Sequence, residues 1–281
     1  MLKLEEIEKR IKRLRPFPPV ASRMIEILHS EEKDIKEAVR LISYDPAITG
    51  MLLRICNSSL WGRAKKIGSV RQAVVQLGID RVLNMVLMEF SSWNMKGSQS
   101  GYDLKEKELW KHSISSAILS EQISEMTAFK ENSFIFTASL LKDIGKVVLN
   151  ELMDDYLDKI LEMVKSGDRS FIEAEREIFG IDHPTLGGMV ARSWNLPSKM
   201  VHLIENHHSE DISSDDKSLS ILLLSDYICM MLGIGVGLDG LAYRFYGYQL
   251  RRLNITHKDI PEIMLRFYEK MDEIEKLINL T

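Results

Sequence analysis

Apolar residues recur at three- and four-residue steps along nearly the whole chain, and no stretch alternates with the period of two that a half-buried strand requires. Leu4, Ile7, Ile11 and Leu14 form one narrow stripe, and Pro16, Pro18 and Pro19 break the helix it predicts. Val20, Met24, Ile27 and Leu28 open a second helix, and Ile35, Val39 and Ile42 a third. In SYDPAITGMLL, Asp45 reads as an N-cap and Pro46 as the first helical residue, where a missing N–H costs nothing. Ser69 starts SVRQAVVQLG and Gly78 ends it. Asp80 is expected to cap the next helix, which carries Leu83, Val86, Leu87 and Phe90 on one face.

The segment NMKGSQSGYD, residues 94–103, is polar and glycine-bearing, and it predicts a boundary. Beyond it the pattern predicts helices near 104–127, 131–150, 152–166, 170–179, 183–194, 198–209, 216–232, 238–252 and 258–280. Ser170 with Glu173 forms a capping box, and Gly180 stops that helix. The expected fold is all-α, with two consecutive helical subdomains at 1–95 and 96–281.

The chain has 281 residues, 45% hydrophobic and 28% charged, a balance that supports a folded protein with a sizeable core. A net charge of -4 provides no global basic field for nucleic acid or an anionic membrane. The basic run Lys9, Arg10, Lys12, Arg13 and Arg15 is interleaved with Glu5, Glu6 and Glu8, as on a solvated helix face. Cys56 and Cys229 lie far apart and in no CxxC pairing, which predicts buried thiols in a reducing cytosol. The opening MLKLEEIEKR lacks the apolar core of a signal peptide. SLSILLLSDYICMML is interrupted by Asp226, and no run reaches the ~20 apolar residues of a membrane span. A cytoplasmic protein is expected.

Several polar residues fall on apolar faces. Asp226 shares a face with Leu219, Leu222, Leu223 and Met230, and a carboxylate there needs a cation, a metal or several donors. A core aspartate bonded to nearby backbone is the plain alternative. His112 lies with Leu109, Ser116, Leu119 and Ile123, where a lone histidine is usually a satisfied core residue. His183 follows the capping Asp182 in GIDHPTLGG. His207 and His208 end HLIENHHS, and His208 shares a face with Val201 and Ile204, so at least one ring should point inward. In LLKDIGKVVL, Lys142 and Asp143 flank a core face of Phe134, Ala138, Leu141, Gly145 and Val148, and Gly145 would permit close helix approach. Three inward imidazole positions and two inward carboxylates on separate helices together describe a metal site in a bundle core.

The order His112, Lys142-Asp143-Ile144-Gly145-Lys146, His183, His207-His208 and Asp226 resembles the HD superfamily of metal-dependent phosphohydrolases. Its later histidines are most similar to those of the HD-GYP cyclic-di-GMP phosphodiesterases, although a GYP signature is not evident. In that superfamily the doublet is His-Asp, within HDIGK; here it is Lys-Asp. The blocks PFPPVASRMIEIL, LISYDPAITGMLLRICNSSLWG and KIGSVRQAVVQLGIDRVLNMVL are similar to the amino-terminal subdomain of HDOD proteins, bacterial HD-related output domains. The resemblance covers about residues 15–250.

It implies an HD-like helical bundle for the second subdomain, a regulatory role in bacterial signalling, and a ligand set that family members commonly keep only in part. The implied vestigial ligands are His112, Asp143, His183, His207, His208 and Asp226, with Lys142 at the substituted position. A protonated lysine has three donors and no acceptor, so it cannot ligate a metal. The expected function is therefore a non-catalytic module acting by protein or ligand binding, with the Lys142 ammonium standing in for the metal and no cofactor. The alternative is a residual phosphohydrolase or cyclic-dinucleotide phosphodiesterase with a residual divalent ion. For Lys142 itself the alternative is a stem lying along its helix with the head in solvent.

No receiver, GGDEF-type or DNA-binding module is visible, so a stand-alone member is expected, with a signalling protein or small nucleotide as its partner. No nucleic acid or membrane partner is expected. A cleft beside residues 94–103 could seat such a partner, and the amino-terminal stripe could pair with another protein, a second copy of the chain included. GIGVGLDG, residues 233–240, follows a helix where a dinucleotide fingerprint needs a strand, and so reads as an inter-helix loop. Ser58, Ser59 and the cysteines lack a nucleophile's context; Asn57-Ser58 reads as a helix end and Trp61 as an inter-subdomain packing residue.

Overall fold

A computed structural model describes residues 4–17, 19–30, 34–58, 66–127, 129, 133–153, 155–166, 169–209, 216–238, 240 and 247–280. In chain order the helices are α1 (Leu4–Ile11), α2 (Pro19–His29), α3 (Ile35–Ser43), α4 (Pro46–Cys56), α5 (Val70–Leu77) and α6 (Ile79–Met95). A 3-10 turn at Ser100–Tyr102 leads to α7 (Glu108–Met126), α8 (Ser133–Leu141), α9 (Ile144–Met153), α10 (Leu157–Lys165), α11 (Phe171–Phe179) and α12 (His183–Ser193). Then follow α13 (Ser198–Glu205), α14 (Lys217–Met231), α15 (Tyr248–Leu253), α16 (Asp259–Tyr268) and α17 (Met271–Leu280). Among the described residues the fold is all-α; its single β-type pairing is an isolated bridge between Gln99 and Leu104. No described helix is long and apolar enough to cross a membrane.

The capping chemistry decides most helix starts. Asp45 accepts from the N–H groups of Ala47 and Ile48, with Pro46 opening α4, and Ser69 accepts from Gln72 at the start of α5. The Ser170–Glu173 capping box is present in full, and Gly180 closes α11 in the left-handed conformation. Asp80 is not a cap. α5 and α6 abut across Gly78, so Asp80 falls inside the first turn of α6.

Several predicted helices are divided or shortened. The stretch 131–150 is two helices, because α8 ends at Leu141 and α9 starts at Ile144, leaving Lys142 and Asp143 in the turn between them. Both helices bury their apolar residues in one core, so the period runs on across the break and hides it. The stretch 258–280 is likewise α16 and α17. α13 ends at Glu205, so His207 and His208 lie in the turn beyond it and not on a helix running to 209. Ser59 and Trp61 fall outside the described residues.

α6 is the hinge pin of the packing. Val82, Met85, Val86, Leu87 and Met88 are all buried, contacting α2, α4 and α5 on one side and α7, α8 and α9 on the other. Each such side chain contributes roughly 1.5–3 kcal/mol when fully buried. α7 plays the same part for the rest of the chain, with Leu109, Trp110, Ile114, Leu119 and Ile123 buried against α8, α14, α16 and α17. The Phe17 ring stacks on Trp194 at 5.4 Å between centroids, tying the segment after α1 to the end of α12.

One close crossing positions the site. A Cβ on Gly145 would lie 1.9 Å from the His183 carbonyl oxygen and 2.8 Å from the Gly187 nitrogen. Only glycine lets α9 approach the start of α12 that closely. The predicted role of Gly145 is therefore realised, and it brings Asp143 beside His183.

Candidate functional site

Separate elements deliver the predicted residues to one buried cluster. α7 supplies His112, the α8–α9 turn Lys142 and Asp143, α9 Lys146, the first residue of α12 His183, and α14 Asp226. His207 and His208 come from the turn after α13. Lys142, Asp143, His183 and His207 are 0% exposed, Asp226 2% and His112 3%, whereas His208 is half-buried. That burial excludes the solvent-facing alternative for Lys142.

One half of the cluster is organised around the Lys142 ammonium. Its Nζ lies 2.6 Å from Asp226 Oδ1 and 3.1 Å from His112 Nε2, and it hydrogen-bonds Asp143 Oδ2. Burial alone would push the ammonium pKa down; the Asp143 and Asp226 carboxylates outweigh it, and the net shift is upward. The carboxylates respond in kind. Burial would raise Asp143, but Lys142 and then Lys146 hold it well below the usual carboxylate range. Asp226 is held well below it too, against burial, by Lys142 and His112.

His112 is oriented from both sides. Its Nε2 lies 2.8 Å from Asp226 Oδ1, and its Nδ1 lies 2.9 Å from the Ile234 carbonyl, which can only accept, so Nδ1 carries a proton. The loop carrying that carbonyl passes very near α7: Gly235 has φ +53°, and a Cβ there would lie 2.4 Å from the Glu108 carbonyl oxygen. The glycine string read as an inter-helix loop thus serves to close on His112.

The other half is built on histidines whose protons are already committed. Glu175 accepts from the His183 backbone N–H at 2.8 Å and lies 2.9 Å from His183 Nδ1, while the Tyr102 hydroxyl donates to it at 2.7 Å. His207 Nδ1 lies 2.7 Å from the Ile204 carbonyl. Both rings therefore carry a proton on Nδ1 and turn Nε2 towards Asp143. Each Nε2 lies 3.7 Å from Asp143 Oδ1, is buried, and has no hydrogen-bond partner. The ligand atoms of His183, His207 and His208 lie within 4.8 Å of one another. Burial pushes the His207 pKa down, and burial with the neighbouring His207 pushes that of His208 well below the usual value, which keeps the rings neutral. Lys146 reaches Asp143 Oδ1 at 2.8 Å.

The two halves differ as metal sites. The HD relationship calls for a divalent ion, and His112, Asp143 and Asp226 would suit one, but the Lys142 ammonium fills the space between them. That half does not fit a metal. The histidine half does, since imidazole nitrogens without hydrogen-bond partners converge on a carboxylate oxygen.

The sequence pattern missed Glu175, Tyr102 and the pairing of Lys146. Glu175 had a readable signal, being an acidic residue on the buried face of α11 with Phe171, Ala174 and Phe179, the same anomaly that marks Asp226. The Tyr102 hydroxyl left no such trace, because its partner lies 73 positions away.

The helical fold, with the predicted site residues converging inside it from separate elements, is that of an HD-related domain. The chain belongs to the HDOD domain family, whose model matches residues 14–210. A Treponema pallidum protein of uncharacterised function is 26% identical over 212 residues, 70% of this chain and 38% of its own length. The chain thus spans about two fifths of that curated relative. Among solved structures, an HDOD domain protein of unknown function from Geobacter sulfurreducens is similar with a TM-score of 0.76 at 22% identity, covering 99% of this chain and 98% of its own. A Shewanella amazonensis protein provisionally named a phosphohydrolase gives a TM-score of 0.72 at 18% identity, covering 98% of this chain and 97% of its own. A Marinobacter aquaeolei protein provisionally named for signal transduction gives 0.74 at 18% identity, covering 98% of this chain and 65% of its own. At these identities the likeness is one of fold.

Proposed function

We propose that the chain is a non-catalytic regulatory module of bacterial signal transduction, acting by binding a protein or a small nucleotide. The observation that carries this reading is the Lys142 ammonium between Asp143, Asp226 and His112. Hydrolysis of a phosphoester by the HD route needs a metal to lower the pKa of a bound water and polarise a phosphoryl oxygen. An ammonium supplies charge without a vacant coordination position, so it can balance Asp143 and Asp226 but cannot activate water. What remains is a rigid, charge-balanced core that holds α7, α9, α12 and α14 in register.

A cavity of about 150 Å³ supports the binding part of the reading. It is lined by Leu77, Asp80, Arg81, Asn84, Glu121 and Phe136, and lies where α5 and α6 meet α7 and α8. Asn84 Oδ1 is buried there without a hydrogen-bond partner, and burial raises the Glu121 pKa despite Arg81. Its unpaired amide oxygen and raised carboxyl would favour a small ligand rich in hydrogen-bond donors.

The second reading, a residual metal-dependent phosphohydrolase, is favoured by the intact histidine half with Asp143. Turnover assays on nucleotides and cyclic dinucleotides with added Mn²⁺ or Fe²⁺ separate the two. No turnover is expected; hydrolysis that disappears in Asp143→Asn would overturn the regulatory reading.

A further inference from the structure

We infer that the cavity between α6, α7 and α8 is a binding site for a small organic cation, an ammonium or amidinium borne on a short apolar group. Such a ligand is neither the protein nor the nucleotide partner considered above, and its binding does not depend on Lys142.

The polar wall of the cavity comes from α6. Asp80 and Asn84 stand four residues apart, and therefore on one side of that helix. Asn84 is 7% exposed, and its Oδ1 has no hydrogen-bond partner among the described residues. An amide oxygen buried without a donor destabilises the fold, so a ligand N–H that reaches it gains a contact the protein itself lacks. α7 contributes the mostly buried Glu121, whose Oε1 is engaged by Arg81 at 3.3 Å. Phe136 of α8, which is buried, and Leu77 at the end of α5 complete the lining with apolar surface. A cavity of about 150 Å³ has room for a group the size of a benzene ring. The lining thus combines hydrogen-bond acceptors with an apolar wall.

The charges decide the sign of the ligand. Asp80, Glu121 and Glu125 place three formal negative charges in and beside the cavity, against two from Arg81 and Lys270. Arg81 is already divided between Glu121 and Glu125, each at 3.3 Å, beyond the about 2.7–2.9 Å of a close charge-assisted hydrogen bond. Burial lifts the Glu121 carboxyl above its ordinary value although Arg81 opposes it, as befits a negative charge short of a counter-charge. A cation between Glu121 and Asn84 supplies that charge and donates to the open amide oxygen. An anion would instead meet both Asp80 and Glu121.

Calorimetric titration of the full chain with benzamidinium and with cyclohexylammonium tests this, beside their neutral counterparts benzamide and cyclohexanol. One saturable site per chain is expected, with each cation about 10-fold or more tighter than its neutral counterpart. Glu121→Gln should weaken cation binding by about 10-fold or more and remove that preference. Asn84→Leu should weaken it about 5–10-fold while the melting temperature holds or rises, because an unmet amide oxygen gives way to an apolar group. Absence of saturable binding by both cations, neutral counterparts that bind as tightly, or binding unchanged in either variant would overturn the site. A marked loss of stability in Asn84→Leu would show its amide oxygen to be used within the fold, and would overturn the site as well. All of these outcomes are independent of the turnover assays, so the reading of Lys142 stands or falls separately.

Discussion

Replacing Lys142 by methionine keeps the volume of the side chain and removes its charge. In the folded protein this leaves Asp143 and Asp226 buried with the Nζ contacts to Asp226 Oδ1 at 2.6 Å and to Asp143 lost. Lys146 still pairs with Asp143, so Asp226, which keeps His112 beside it but loses its ammonium, bears most of the damage. Removing one member of a buried ion pair costs about 3–5 kcal/mol, because the remaining charge is stranded. With an unfolding entropy of ~2.1 cal/mol/K per residue, 281 residues give about 0.6 kcal/mol/K, so the melting temperature should fall by roughly 5–8 °C. Thermal melts followed by circular dichroism in chelator-containing buffer measure it. The double variant Lys142→Met/Asp226→Asn should recover most of the loss, since the stranded charge goes with its partner. A single-variant loss below about 1 kcal/mol, or no recovery in the double variant, would refute the view that Lys142 is the internal counter-cation.

Two further outcomes are expected. Gly145→Ala would drive a Cβ into the His183 carbonyl and the Gly187 nitrogen, both backbone, so α9 and α12 must separate. The expected cost is ~3 kcal/mol or more by denaturant unfolding, at the upper end of overpacking; a cost below ~1 kcal/mol would show that the crossing yields freely. In acid, Asp143 and Asp226 titrate lower when folded than the ~3.9 of an unfolded aspartate. Their ionised forms therefore stabilise the fold in full above that value, and the contribution is lost as pH falls through the depressed folded values. Asp226→Asn should accordingly lose less stability than the wild type between about pH 5 and pH 2, and equal losses in melting temperature would count against it.

Helices were legible wherever a cap or a stop coincided with the apolar period, as at Asp45, Ser69, Gly180 and Asp182. They were misjudged where the period continued through a turn. Lys142 and Asp143 sit in such a turn, and a residue between two helices can aim inward without disturbing either stripe. Burial of His112 and Asp226 followed from the anomaly each makes on an apolar face. The mutual arrangement of the site did not, because His112, Asp143, His183 and Asp226 meet only through α9 crossing α12 and α14 crossing α7. The proton assignments were least accessible of all. They depend on Glu175 and on the Ile204 and Ile234 carbonyls, and a backbone carbonyl leaves no mark in the residue pattern.

The family pattern fades at residue 210, whereas α14 begins at Lys217. A chain cut where the pattern stops would lack Asp226 and the Ile234 carbonyl, so Lys142 would lose one of its two carboxylates and His112 both of its fixed partners. The same cut would bare the flank of α7, which α14, α16 and α17 cover and to which the Lys111–Glu275 pair is fastened. The shortest stretch that can be excised, fused or transplanted intact is thus set by electrostatic closure, and it runs well past the stretch that kinship makes recognisable.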